Sequence, residues 1–270
     1  MMENFTGIDV KLQHKINILP KYWNSLKPQN NVCTTVEESW KKRMEFMDEI
    51  SVQNNVVVFL WNAFTNRFLY MSDKIQVLSY YDPAMFTSEN GVAYLLSLIH
   101  PAHLDGALLL IRELIVNYCA THNKPNFKNV KISLNYLFKN GVGEYLQILH
   151  RPVILEVDEN NKPTLVLNIT HHVDHIKKED SIGGIVVTEE DNFIFDYNLE
   201  QRQLESPKSF SDQEMKILQL LGKGLDTRAI AEKLFISPHT VDTHRRNIIK
   251  KTSCMDTTGV VAYAKFVGLI

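Results

Sequence analysis

The chain predicts an α+β domain with an antiparallel five-stranded sheet and helices, followed by an all-α unit of short helices. Three observations carry that prediction. The apolar spacing switches from helical to strand-like at Asn54. Strand patterns return between Val130 and Thr170 after a helical middle. Beyond Phe210 the chain shows a series of short helices with their caps written in. The resulting division is a helical extension over 1–51, the α+β domain over 52–180, a hairpin and linker over 181–209, and the helical unit over 210–270.

The extension reads as helices at Val10–Leu19 and Glu37–Ile50, separated by the stretch K-P-Q-N-N. Trp40, Met44, Met47 and Ile50 recur at helical spacing, a stripe that either packs on the next domain or contacts a second copy. Val56–Leu60 is an apolar, largely β-branched run, and Arg67–Met71 follows after N-A-F-T-N. Helical patterns cover Ile75–Leu78, Gly91–Ile99 and Leu104–Asn117. Val130, Ile132, Leu134, Tyr136 and Phe138 then alternate with period two, placing them on one face of a strand. The turn K-N-G-V-G leads into Glu144–His150, continuing to about Glu156, and Thr164–Thr170 is the last strand. G-G-I-V-V-T-E-E-D-N-F-I-F-D-Y reads as a hairpin, and the polar, Pro207-containing stretch 199–209 reads as a linker.

In the C-terminal unit, Ser211 and Glu214 form a capping box, flanked by Phe210 and Met215 at the staple positions. Ile217, Leu218 and Leu221 give the first helix its apolar face, and Gly222 or Gly224 ends it. Asp226 caps the second helix, with Ile230 and Leu234 on one side. Ser237 caps the third, with Pro238 in its first turn, where a missing amide hydrogen is not felt. Only Leu234-Phe235-Ile236 separates the second and third helices, which makes the pair a helix-turn-helix. On the third helix Val241, Ile248 and Ile249 point to the core. His239, Asp242, Thr243, Arg246 and Lys250 share the opposite stripe, flanked by Arg245 and Lys251. Arg can donate twice to guanine and Thr can pack on a thymine methyl, so Asp242, Thr243 and Arg246 are the candidate base-facing residues. Arg245, Lys250 and Lys251, with Ser237 and Thr240 at the helix start, are the candidates for phosphate.

The string A-I-A-E-K-L-F-I-S-P-H-T-V-D-T-H-R-R-N-I-I-K-K resembles the signature of LuxR-type helix-turn-helix domains, and the resemblance runs from 210 to the end. It implies four helices, with Asp256–Val267 as the fourth, and a dimer contact through Val260, Tyr263, Ala264 and Val267. It also implies double-stranded DNA as partner. Asp242 departs from the family, which commonly has Lys or Arg there, and would accept from a cytosine amino group. F-L-Y-M-S-D at 68–73, S-L-I-H-P-A-H-L-D at 97–105 and N-I-T at 168–170 resemble passages of PAS domains. That resemblance implies a signal-input or dimerisation module whose core can hold a small ligand. The candidate liners are Phe59, Trp61, Met85, Phe86, Tyr136 and Phe138, which read equally well as plain core.

Charge and composition agree with a small nucleic-acid module on a different body. Residues 208–270 carry 10 Lys and Arg against 6 Asp and Glu, whereas the whole chain has a net charge of −2. Cys33, Cys119 and Cys254 are far apart, which leaves no zinc framework and suits a reducing cytoplasm. The N-terminus lacks a signal-peptide pattern and no run of 18 apolar residues exists, so a soluble, cytoplasmic protein is expected. His171, His172 and His175 lack a companion carboxylate or Cys at ligand spacing other than Asp174, and no metal is expected. His100 reads as a capping or turn residue. No phosphate loop or hydrolase motif is present, and no enzyme activity or evident cofactor is expected. The expected function is a dimeric, sequence-specific transcriptional regulator, with RNA polymerase as a further partner. The rivals are a sigma-like or adaptor protein contacting polymerase or another protein, and a small-ligand sensor with vestigial DNA binding.

Overall fold

The computed structural model of the chain describes residues 44–113, 130–160, 162–177, 181–188 and 191–270. The expected helix at Val10–Leu19, Trp40, Cys33, Cys119, the end of the helix expected to reach Asn117 and the tip of the E-E-D-N turn lie outside these residues. Helix α1 (Met44–Asn54) leads into β1 (Val57–Asn62) and β2 (Arg67–Met71). Four helices follow: α2 (Lys74–Ser79), α3 (Pro83–Thr87), α4 (Gly91–Ser97) and α5 (Pro101–Ile111). Helix α3 was not expected, although its start is written locally: Asp82 accepts from the Ala84 amide at 2.9 Å and Pro83 occupies the first turn. At α5, His100 is the N-cap, its Nδ1 accepting from the Ala102 amide at 3.2 Å.

Strands β3 (Lys131–Lys139), β4 (Tyr145–Val157), β5 (Pro163–His172), β6 (Gly183–Val187), β7 (Asn192–Asn198) and β8 (Gln203–Leu204) complete one sheet of order β2-β1-β5-β4-β3-β6-β7-β8. The expectation of five strands is therefore corrected to eight. The hairpin past residue 181 does not stand apart. β6 pairs antiparallel with β3, with Ile132 opposite Val186, and so covers an edge that would otherwise be left unpaired. The linker is held too: Lys208 and Ile194 exchange backbone hydrogen bonds at 2.7 and 2.8 Å.

Both faces of this sheet are covered. One face carries Phe59, Leu134, Tyr136, Phe138 and Ile148, packed under α2–α5. On the other, Met47 of α1 lies among Val58, Leu60 and Leu165, so the helix stripe packs inward, although Ile50 is exposed. Leu149, Ile185 and Ile194 project from that same side into the core of the C-terminal helices. Double coverage explains why β1 is apolar at consecutive positions and why Ser133 and Asn135 are buried although they alternate with the β3 core residues.

The C-terminal unit comprises α6 (Asp212–Gly222), α7 (Thr227–Leu234), α8 (Pro238–Thr252) and α9 (Thr257–Val267). It docks on the sheet through the stretch after β5. Met255 donates to the Ile176 carbonyl at 3.0 Å, and Lys177 pairs with Cys254 as an isolated bridge. The buried Lys177 ammonium sits 3.9 Å from the Tyr263 ring centroid and donates to the Thr252 carbonyl. Burial pushes the Lys177 pKa down. A Cβ on Gly259 would stand 3.1 Å from the Ile176 carbonyl, so a side chain there would press the two segments apart by a few tenths of an ångström.

Candidate DNA-binding surface

Each helix of the C-terminal unit begins at a satisfied cap. Glu214 donates its amide to Ser211 Oγ at 3.3 Å, and Glu214 Oε2 accepts from the Ser211 amide at 2.8 Å, completing the capping box. Asp226 accepts from Ala229 at 2.8 Å, Ser237 from Thr240 at 3.0 Å and Asp256 from Gly259 at 2.7 Å. Between α7 and α8, Phe235 takes a left-handed conformation at φ 55°, which closes the tight turn and leaves its ring 95% exposed. The buried Val241 and Ile248 seat α8, and its other side faces outward.

That outward side contains the expected base-facing residues. Asp242, Thr243 and Arg246 are all exposed, together with Asn247 and Lys250, and the docked sheet leaves them open. Thr243 Oγ1 donates back to the His239 carbonyl at 3.0 Å, which leaves its methyl for an apolar contact. Arg246 Nε donates to the Asp242 carbonyl at 3.3 Å, which steadies the guanidinium and directs its outer nitrogens away from the helix. Asp242 is already partly engaged: Thr227 Oγ1 donates to its carboxylate at 3.1 Å and Arg245 lies 3.4 Å away.

Two expected phosphate ligands have other occupations. Arg245 donates to Thr227 Oγ1 and, at 3.0 Å, to Thr257 Oγ1, tying α7, α8 and α9 together. Lys251 is bound to Glu214 at 2.6 Å and to the Ser209 carbonyl at 2.9 Å. Burial pushes the Glu214 carboxyl up, but the bonds from Lys251 and Ser211 outweigh it and hold the carboxyl below its ordinary value. In this arrangement both cations serve as internal ties. Ser237 and Thr240 hydroxyls lie 2.8 Å apart at the α8 start, and Lys250 has no ion pair among the described residues.

The expected dimer residues are also engaged within the chain. Val260, Tyr263, Ala264 and Val267 are buried within their own chain, where α9 meets the sheet side at Ile176 and Lys177, so they present no face to a second copy in this arrangement. Neighbouring Phe266 is stacked on His171 at 4.6 Å between centroids.

Residues 208–264 match the family model described as bacterial regulatory proteins, luxR family. The C-terminal unit is a luxR-family domain. Similar curated proteins include the transcriptional regulatory protein YxjL of Bacillus subtilis, 38% identical over 66 residues, which are 24% of this chain and 30% of that protein. The oxygen regulatory protein NreC of Staphylococcus aureus is 36% identical over 73 residues, 27% of this chain and 34% of that one. The chain thus spans about a third of the length of these relatives. Among solved structures, the VqmA–ligand–DNA complex of Vibrio cholerae is 12% identical, covering 83% of this chain and 88% of that one at a TM-score of 0.28. A PAS/PAC sensor domain of a Marinobacter aquaeolei diguanylate cyclase is 17% identical, covering 44% and 94% at 0.32.

The sheet domain contains a cavity between α4, α5 and β1, β3, β4 and β5, with a second one beside it toward α2. Phe59 and Tyr136 border both, Trp61 only the first, and Phe86 and Phe138 only the second. Met85 lines neither and packs against the surrounding core. His150 and Asn168, not singled out in the sequence, also line the first cavity. Burial lowers the His150 pKa to about 4 despite the opposing hydrogen bond that its ring donates to the Asn168 oxygen, and burial followed by the Arg151 charge lowers that of His171 to about 4. Between pH 6.5 and 4 the unfolded imidazoles bind protons that the folded ones refuse, so stability falls as pH falls through this window. His150 alone accounts for a slope of up to about 1.4 kcal/mol per pH unit. Thermal unfolding across this range should show the decline, and His150→Gln should make it shallower, leaving the share that comes from His171.

Among the described residues no group of three His, Cys, Asp or Glu comes together to hold a metal, and no helix is long and apolar enough to cross a membrane. His172 instead pairs with Asp174 at 2.6 Å.

Proposed function

We propose that the chain is a sequence-specific DNA-binding transcriptional regulator in which α8 enters the major groove and the PAS-like sheet domain docked behind it is the input module. The observation that carries this reading is the open edge of α8: a capped helix after a tight turn, seated by Val241 and Ile248, with Asp242, Thr243 and Arg246 all exposed. Asp242 and Arg246 supply an acceptor and a donor fork for base edges, and Lys250, one turn beyond Arg246, supplies a cation for the backbone. Asp242 repels phosphate, so discrimination at its base rests on a cytosine amino group. A dimer on adjacent half-sites suits this geometry, formed through a surface other than the α9 residues engaged here. The cytoplasm is its proposed site of action. No catalytic role is proposed for any residue.

The test is selection of genomic fragments by the full-length protein, followed by affinity measurements on the recovered site. Recovery of one shared sequence supports the reading, and recovery of fragments with no common sequence sinks it in favour of a protein-contacting adaptor. Lys250→Ala should weaken binding to every sequence alike and reduce the slope of log affinity against log salt by about one. A salt titration from low to physiological ionic strength measures that slope directly.

A further inference from the structure

The exposed edge of α8 holds one carboxylate beside the cations Arg246 and Lys250, and that carboxylate does not stand free. Thr227, the first residue of α7, donates its Oγ1 hydrogen to Asp242 Oδ1 at 3.1 Å. The same hydroxyl oxygen accepts from Arg245 Nη1, which also lies 3.4 Å from Asp242 Oδ1. Arg245 Nη2 donates at 3.0 Å to Oγ1 of Thr257, the first residue of α9. The guanidinium is thus braced between the starts of two other helices, and it fixes the place to which Asp242 is drawn.

The direction of each hydrogen follows from the groups themselves. Arg245 has only hydrogens to offer and the Asp242 carboxylate only lone pairs, so the Thr227 hydroxyl accepts from the first and donates to the second. These contacts converge on Oδ1. Oδ2 takes part in none of them and stays available as an acceptor on a half-exposed side chain. An aspartate held in this way has lost its rotamer freedom in advance, so that part of the ordering cost no longer falls on binding. Its charge is also paired with that of Arg245, which lessens the repulsion a lone carboxylate would exert on nearby phosphates.

We propose that Thr227 and Arg245 are positioning residues for sequence discrimination: they hold Asp242 so that Oδ2 is a fixed, single acceptor for one base amino group. Cytosine suits such an acceptor better than adenine. In the major groove cytosine shows its amino donor alone, whereas adenine sets the N7 acceptor beside its own. The inference rests on the reading of Asp242 as a base contact, and both positioning residues act through Asp242 rather than on the base.

The test measures the affinity of the full chain for the DNA site recovered by genomic selection, and for that site altered one base pair at a time. Asp242→Ala identifies the base pair that this residue reads. Thr227→Val keeps the branched shape and the Asp226 cap but removes the hydroxyl. It should lower discrimination at that same base pair about threefold to tenfold, the scale of ordering one side chain. The slope of log affinity against log salt should not change, since no charge is removed. Added to Asp242→Ala, Thr227→Val should have no further effect, an outcome that a general loosening of the domain would not give. Arg245→Met, with its folding checked by thermal unfolding, should relax the same base pair and likewise add nothing to Asp242→Ala. Full discrimination in Thr227→Val, a loss spread over several base pairs, or an effect that persists beside Asp242→Ala would each overturn the positioning role while leaving Asp242 as a base contact. Unchanged discrimination in Asp242→Ala would overturn both.

Discussion

Lys251→Met should destabilise the luxR-family domain by about 1–3 kcal/mol, the cost of leaving the Glu214 carboxylate without a partner whose own ammonium is part-exposed. Glu214 is 3% exposed and its carboxylate has been withdrawn from water. Lys251 bonds it at 2.6 Å and reaches the Ser209 carbonyl as well. The methionine keeps the stem and its packing, so the loss isolates the uncompensated carboxylate. The carboxylate is also half of the capping box, so the damage extends to the start of α6. Double replacement with Glu214→Gln should recover much of the stability, since the orphaned charge is then gone. Chemical denaturation of the single and double variants checks this. Equal stability of Lys251→Met and the unaltered chain would return Lys251 to the surface as a phosphate ligand.

Leu149→Ala should cost about 2–5 kcal/mol, because the deleted methyl groups leave a cavity in a fully buried site. The site lies between two units, where Leu149 and Ile185 of the sheet meet the core that holds Ile217, Leu218 and Val267. Loosening it should raise amide hydrogen exchange in the sheet and in α6–α9 together. Faster exchange confined to β4 and its partners would show that the two units are held independently.

What the sequence disclosed follows from the range of each interaction. The caps at Ser211, Asp226 and Ser237 act over three residues, and their residue types announce them. The exposed edge of α8 was legible for the same reason, since residues three and four apart share a face. Lys251 and Glu214 are 37 positions apart, and Lys177 meets the Thr252 carbonyl across 75. Nothing local marks such partners, so Lys251 and Arg245 looked like free cations. The hairpin of β6 and β7 was visible as a hairpin, but its pairing with β3 depends on a tertiary choice of edge. The four apolar residues of α9 were legible as a face, although only the docked sheet shows what covers them. His150 escaped notice because a histidine in a strand is ordinary; its meaning comes from Tyr136 and Asn168, which flank it in space.

The most direct test of the account is the affinity of the full-length protein and of Arg246→Ala for the selected DNA site, and for that site altered one base pair at a time. The account predicts a loss of about 1–3 kcal/mol in the variant, with discrimination relaxed at a single base pair and kept at the others. Unchanged affinity and unchanged discrimination at every position would contradict it.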